Sequence, residues 1–304
     1  MFHSSASNIL IVPHRLGPNT LPTQIILNAD DFGRSTNVNA AVMLAHRQGV
    51  LTSASLMVTG NAVEEAVALA RQTPTLAVGL HLIVAAGRAA LSPADIPHLV
   101  DSSGFFPDDP VQTGLRYAFS RTARQELARE MEAQFERFAA TGLPLSHVDC
   151  HLHMHIHPVL FDLLLPLAGR YGARGLRLPR DELWPALRHD RSRVGTKIAW
   201  AFAFGLLGRR CLHRLRGHRL IVTDRVYGLM QTGRMGEKYV LRLLRNLHVP
   251  TAEIYFHPAL EPEGEEFGPN PDDLACLLSP AVRQMIQERG LRLATYPALT
   301  GPEG

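Results

Sequence analysis

The chain of 304 residues has only three cysteines, Cys150, Cys211 and Cys276, and none stands in a Cys-x-x-Cys pair. This odd, dispersed set excludes a disulfide framework and a cysteine-based zinc module. A reducing compartment is the simpler expectation, and the cytoplasm is the expected location. Long hydrophobic runs are also missing. The N-terminal pentad NILIV is broken by Pro13 and has no Lys or Arg before it, which fits neither a secretory signal nor a spanning helix. Lysine is scarce, so the basic side chains are almost all arginine. They concentrate between Arg170 and Arg219, whereas acids gather after Glu261, and the formal net charge is only +3. That asymmetry predicts a local basic face and no nucleic-acid partner. Nor does any stretch combine low hydropathy with high charge as disordered chains do, since 46% of the residues are hydrophobic and 19% charged.

Short apolar runs rich in Ile, Val and Leu alternate with segments of helical period. Eight runs are candidate strands: QIILNAD, SASLMVTG, LAVGLHL, SHVDCH, GLRLP, RLIVTD, AEIYFH and LRLATYP. Between them the pattern predicts helices over Thr36 to Gln48, Ala62 to Arg71, Ala123 to Ala140, Pro158 to Tyr171, Glu237 to Asn246 and Pro280 to Arg289. Eight β/α repeats predict an α/β protein with a (β/α) barrel-like fold, a distorted TIM-type barrel with insertions after strands. Residues 1–22 read as a loose extension and 23–304 as one domain. Ala85 to Thr122 and Asp181 to His218 are long insertions on the face where barrel enzymes build substrate sites.

Residues able to bind a metal or move protons stand at the ends of these strands: Asp30 and Asp31 at the first, His81 at the third, Asp149 and His151 at the fourth, His257 at the seventh. Each alone has an ordinary alternative, because an Asp after a strand commonly caps a turn and a lone His is commonly structural. Together they mark one edge of the fold. Of the adjacent carboxylates in NADDFG, one could ligate a cation while the other accepts a proton from water; the alternative is that Asp31 caps the turn before Ser35. His81 in GLHL becomes a ligand candidate because the tract SHVDCHLHMHIHP ends the next strand. If that tract stays extended, His151, His153, His155 and His157 share a face; if it turns helical, His151 and His155 do. Not all can ligate one ion, and His151, beside Asp149, is the first choice. One carboxylate and two imidazoles would leave positions open for water and substrate. His153, His155, Arg177 and Arg180 are candidates for substrate binding, the arginines otherwise pairing with nearby acids. His257 could protonate a leaving group or orient a carboxylate.

NADDFGRSTNVNAAV, GVLTSASLMVTG, VGLHL, SHVDCHLHMH and EIYFHPA, in this order, resemble the YdjC-like carbohydrate deacetylase family over roughly Gln24 to Ala298. Within it the chain is most similar to the hopanoid biosynthesis-associated branch. The resemblance implies a barrel-like fold and hydrolysis of the acetamide of an N-acetyl sugar with a divalent metal ion, Zn or Mg. The implied substrate is an N-acetylglucosaminyl hopanoid, a lipid-linked sugar. Position by position, Asp31 resembles the metal carboxylate, His81 and His151 the metal imidazoles, Asp30 the catalytic base, and His257 the late histidine near the centre. Family members often carry a DSHHH run, whereas Asp149 here is followed by Cys150, His151, Leu152 and His153. The insertion Arg193 to Arg219 has an apolar stretch too short to span a bilayer, flanked by arginines. It could lie on the inner face of a membrane or simply cover the barrel. A homodimer is compatible with the sequence. Two rival readings stay open: a non-haem iron oxygenase, which uses the same two-His-one-carboxylate set, and a metal-storage protein using the His tract alone.

Overall fold

The computed structural model describes residues 22–265 and 267–299; the expected extension 1–22, apart from Pro22, lies outside them. The described residues form eight strands: β1 (Gln24–Phe32), β2 (Ser53–Leu56), β3 (Ala77–Leu82), β4 (His147–Cys150), β5 (Gly175–Leu176), β6 (Arg225–Tyr227), β7 (Thr251–Phe256) and β8 (Arg292–Leu293). Every pairing is parallel, in the order β5-β4-β3-β2-β1-β7-β6. All nine residues of β1 are buried, as expected of a strand covered on both sides.

The helices are α1 (Thr36–Gln48), α2 (Val63–Arg71), α3 (Pro110–Phe119), α4 (Arg121–Ala140), α5 (Pro158–Arg170), α6 (Leu183–His189), α7 (Val194–Arg214), α8 (Glu237–Arg245), α9 (Pro271–Leu278) and α10 (Pro280–Glu288). Their starts follow from local chemistry. Ser35, Ser120, Asn270 and Ser279 each accept a backbone N–H of the first turn, and Pro158, Pro271 and Pro280 begin helices where their missing N–H is harmless. The core lies between sheet and helices, with Val38 and Val42 of α1, Leu127 and Met131 of α4, and Leu160 and Leu164 of α5 packed onto it.

Two strand expectations need correction. RLIVTD, Arg219 to Asp224, is not the sixth strand: it meets the sheet through the bridge between Ile221 and Gly175 of β5 and through Asp224 at Thr251, and ladder pairing with β7 begins at Arg225. The chain turns between them because the Asp224 carboxylate accepts the N–H and hydroxyl of Thr251. Segment 221–227 therefore touches both margins of the sheet and closes it into a ring. LRLATYP forms only the two-residue β8, beside Gln24 and Ile25, and β7 pairs with β1 directly. The ring thus has seven strands, distorted from the eight expected.

Candidate functional site

The site begins with an irregularity in β1. Its register against β2 shifts between Ala29 and Phe32, and Asp31 takes a left-handed φ of 63°. Such a conformation costs on the order of 1–3 kcal/mol and persists where surrounding structure fixes it. In a regular strand Asp30 and Asp31 would point to opposite faces; here both carboxylates come within reach of His81. The cap before α1 is Ser35, not Asp31.

Asp31 Oδ1 lies 3.4 Å from His81 Nε2 and 3.4 Å from His151 Nδ1. One donor atom from each of the three residues falls within 4.8 Å of the others. Asp31 Oδ1 and His81 Nε2 are buried and neither has a hydrogen-bond partner. Burial opposes ionisation of Asp31, but His151, His257 and His81 outweigh it and hold the carboxyl well below the usual range.

His81 is oriented from behind. Its Nδ1–H donates to Asp149 Oδ1 at 2.7 Å, which leaves Nε2 facing Asp31. Burial disfavours the charged ring, yet the Asp149 carboxylate outweighs it and His81 is pushed up to about 9. Asp149 is itself fixed by Ser55 Oγ at 2.7 Å and Arg177 Nη2 at 2.9 Å. A carboxylate that holds one imidazole nitrogen so that the other presents its lone pair is a recurrent support for metal-binding histidines.

Arg177 follows β5 and is wholly buried. Its Nη1 and Nη2 donate to the two oxygens of Asp30, each at 2.7 Å, and Nε donates to Glu253 Oε1 at 2.8 Å. The expectation that Arg177 meets substrate oxygens is therefore corrected: with no exposed surface, its guanidinium is consumed by Asp30, Asp149 and Glu253. A second grouping of potential ligands, Asp30, His81 and Asp149, already holds this guanidinium. Arg180 lies half-buried near Arg225 and Asp224.

The His tract is neither a strand nor one regular helix. After β4 it makes tight turns over His151–Ile156, with Leu152 and His153 both left-handed at φ near 55°. The imidazoles consequently part company. His151 turns to Asp31, His153 Nε2 meets the Tyr255 hydroxyl at 2.8 Å, and His155 Nε2 donates to the Arg177 carbonyl at 2.8 Å. His157 accepts the Val159 N–H at the start of α5. His155 has no exposed surface, so its expected contact with substrate is also corrected; it supports the backbone of Arg177. His153 is 8% exposed with an unpartnered Nδ1.

His257 follows β7 with Nε2 3.9 Å from Asp30 Oδ2, its Nδ1 is buried and unpartnered, and its backbone N–H donates to Asp273 Oδ2 at 2.8 Å. The strand ends thus bring Asp30, Asp31, His81, His151 and His257 together. Sequence reading singled out Asp149 without its supporting role, and missed the supports Glu253, Ser55 and Asn28. Glu253 left a trace, a lone acid inside the apolar run AEIYFH, where an unmatched buried charge calls for a partner.

The family model of YdjC-like proteins matches residues 24–288. A carbohydrate deacetylase of Brevibacillus brevis is 32% identical over 283 residues, covering 91% of this chain and 99% of its own. A carbohydrate deacetylase of Geobacillus stearothermophilus is 33% identical over 281 residues, 91% of this chain and 98% of its own. A chitooligosaccharide deacetylase of Yersinia pestis is 29% identical, covering 90% and 97%. Among solved structures, a protein of Enterococcus faecalis V583 named as a candidate for cellobiose-phosphate cleavage superposes with a TM-score of 0.72 at 26% identity, over 92% of this chain and 100% of its own. With the match running from the first strand through the last helix, the chain belongs to the YdjC-like family.

Proposed function

We propose that residues 23–304 form a single-domain, divalent-metal-dependent N-deacetylase that hydrolyses the acetamide of an N-acetyl sugar. The observation that carries this reading is the pair of buried, unpartnered atoms, Asp31 Oδ1 and His81 Nε2, facing each other beside His151. Unpartnered polar atoms in a buried site are expensive unless something binds there. Four buried acids, Asp30, Asp31, Asp149 and Glu253, face the buried Arg177, one raised imidazole, and Arg34, which reaches Asp31 at 3.5 Å but is shared with Glu263 and Glu265, so a cation also suits the local charge. The names of the relatives, carbohydrate and chitooligosaccharide deacetylases, support the sugar amide as substrate and do not favour the oxygenase. Storage by the His tract alone is disfavoured by the separate attachments of His153, His155 and His157.

Asp31, His81 and His151 would hold the ion, and two imidazoles suit zinc better than magnesium, which prefers oxygen ligands. When bound, the ion supplies Lewis-acid polarisation of the carbonyl and of water. Asp30, clamped on both oxygens by Arg177 and further held by Asn28, takes the proton of the attacking water. His257, beside it, returns a proton to the departing nitrogen, because an amide nitrogen leaves poorly as an anion. Acetate and the free amino sugar result. Asp149 fixes His81, and Glu253 with Tyr296 fixes Arg177.

Within this reaction class we assign an N-acetylglucosaminyl lipid of the hopanoid type as substrate, on the sequence resemblance and on the exposed apolar side chains Val194, Ile198, Phe202 and Leu206 of α7. Acetate release from N-acetyl sugars, free and lipid-linked, after adding back individual divalent metals tests the assignment. Asp31→Ala is expected to lose metal and activity together. Asp30→Asn is expected to keep stoichiometric metal and lose turnover by about 10²-fold or more. Full activity with bound metal in Asp31→Ala would overturn the reading.

A further inference from the structure

Of the twelve large hydrophobic side chains exposed among the described residues, eight lie on α3, on α7 or at Leu152. They are not scattered. On α7, Val194, Ile198, Phe202 and Leu206 recur every four residues and all are exposed, Phe202 at 75%. The positions exposed alongside them are Gly195, Ala199, Ala203 and Gly205, so no charge interrupts this flank for about 18 Å. On α3, Val111, Leu115 and Phe119 repeat the same spacing, with Phe119 83% exposed.

The two helices stand on either side of the His tract. α7 crosses the rim: Arg193 lies over the ring of Phe267, Phe204 meets the ring of His153, and Cys211 meets the carbonyl of Ile156. α3 packs its opposite face near His157 and Met154 through Gly114. Between them Leu152, held in the left-handed conformation, is 44% exposed. α3, Leu152 and α7 therefore form one apolar rim next to His151.

The charge around the rim selects what covers it. From Arg191 to Thr223 the sequence holds eight Lys and Arg and no acid. Arg191 and Arg193 stand exposed at one end of the α7 flank and Arg209 at the other, while Arg116 and Arg121 are exposed on and beside α3, against two exposed acids, Asp108 and Asp109, at its start. A surface with an apolar interior beneath anionic headgroups satisfies both features. No helix among the described residues is long and apolar enough to cross a membrane, so the contact would be peripheral.

We propose that the rim of α3, Leu152 and α7 is a docking surface for an anionic phospholipid bilayer, setting the barrel mouth against the headgroup layer. The proposal rests on the preceding reading only for the use of such docking, which is delivery of a lipid-linked sugar to His151 and Asp30. Docking itself is measured without catalysis. The full chain is sedimented with vesicles of phosphatidylcholine containing phosphatidylserine or not, alongside Phe202→Asp/Leu206→Asp, Leu115→Asp/Phe119→Asp and the fourfold variant. The parent is expected to bind the anionic vesicles, to bind neutral ones at least tenfold more weakly, and to be released by high salt. Each double variant is expected to weaken binding and the fourfold variant to abolish it, with unchanged melting temperature and unchanged acetate release from a soluble chitooligosaccharide. A parent that ignores vesicles, or variants that bind like the parent, overturns the proposal. So does a parent dimer that these substitutions dissociate, which would put a second copy on the rim. If vesicles bind but no acetate is released from any sugar, docking stands and the deacetylase reading fails.

Discussion

At the scale of single residues, the site is built of charged groups legible in the sequence and of supports that were not. Asp30, Asp31, His81 and His151 stand out because they end apolar runs. Asp149 stands out in the same way but its partner does not, Glu253 lies inside an apolar run, and only the fold reveals that Arg177 joins Asp30 of β1, Asp149 of β4 and Glu253 of β7. The His tract shows the same limit from the other side, since its even spacing gives no sign that two left-handed residues send its rings to different partners. The buried rings also give the molecule an acid sensitivity. Burial drives His147 and His155 down to about 4 from an ordinary 6.5. As pH falls from 6.5 towards 4 the unfolded chain takes up protons that these folded rings refuse, so stability present above 6.5 is lost across that window. For His155 the loss is on the order of 3 kcal/mol. Asp181, pushed up to about 6 by burial, works in the opposite sense between 3.8 and 6, so parent and variant must be compared. His155→Gln is expected to flatten the fall in melting temperature between pH 6.5 and 4.5; an identical pH dependence would refute the assignment.

At the scale of elements, six helices and most strands were legible because apolar periodicity and capping residues agree locally. The exceptions have physical causes. RLIVTD reads as a strand from its Leu-Ile-Val run, yet Asp224 bends the chain before pairing starts. α7 was legible only as an apolar stretch, because its flank of Val194, Ile198, Phe202 and Leu206 faces outward and no polar face balances it. The turn after β4 holds Leu152 at a φ of 55° with its side chain 44% exposed, so its strain is offset by little packing. Leu152→Gly is expected to gain roughly 1 kcal/mol, read as a higher melting temperature, since a Cβ in this conformation costs about that much. A loss of stability instead would show that the exposed leucine makes contacts the turn needs.

At the scale of the whole molecule, the barrel fold was legible from the β/α alternation, but its closure was not. Seven strands make the ring, and one margin is joined only through Ile221, whose N–H donates to Arg174 and whose carbonyl accepts from Leu176. Hydrogen exchange is expected to find these two amides less protected than those of β1 and β7; equal protection would mean that the closure is stronger than its bonds suggest. β1 sits at the opposite extreme, paired with β2, β7 and β8 at once. The carboxylates it carries therefore cannot loosen by local fraying. On heating, Asp30 and Asp31 should hold their places until the sheet itself unfolds, whereas the Arg177 clamp, next to the weaker margin at Leu176, should loosen first, so activity is expected to decline a few degrees before tertiary structure.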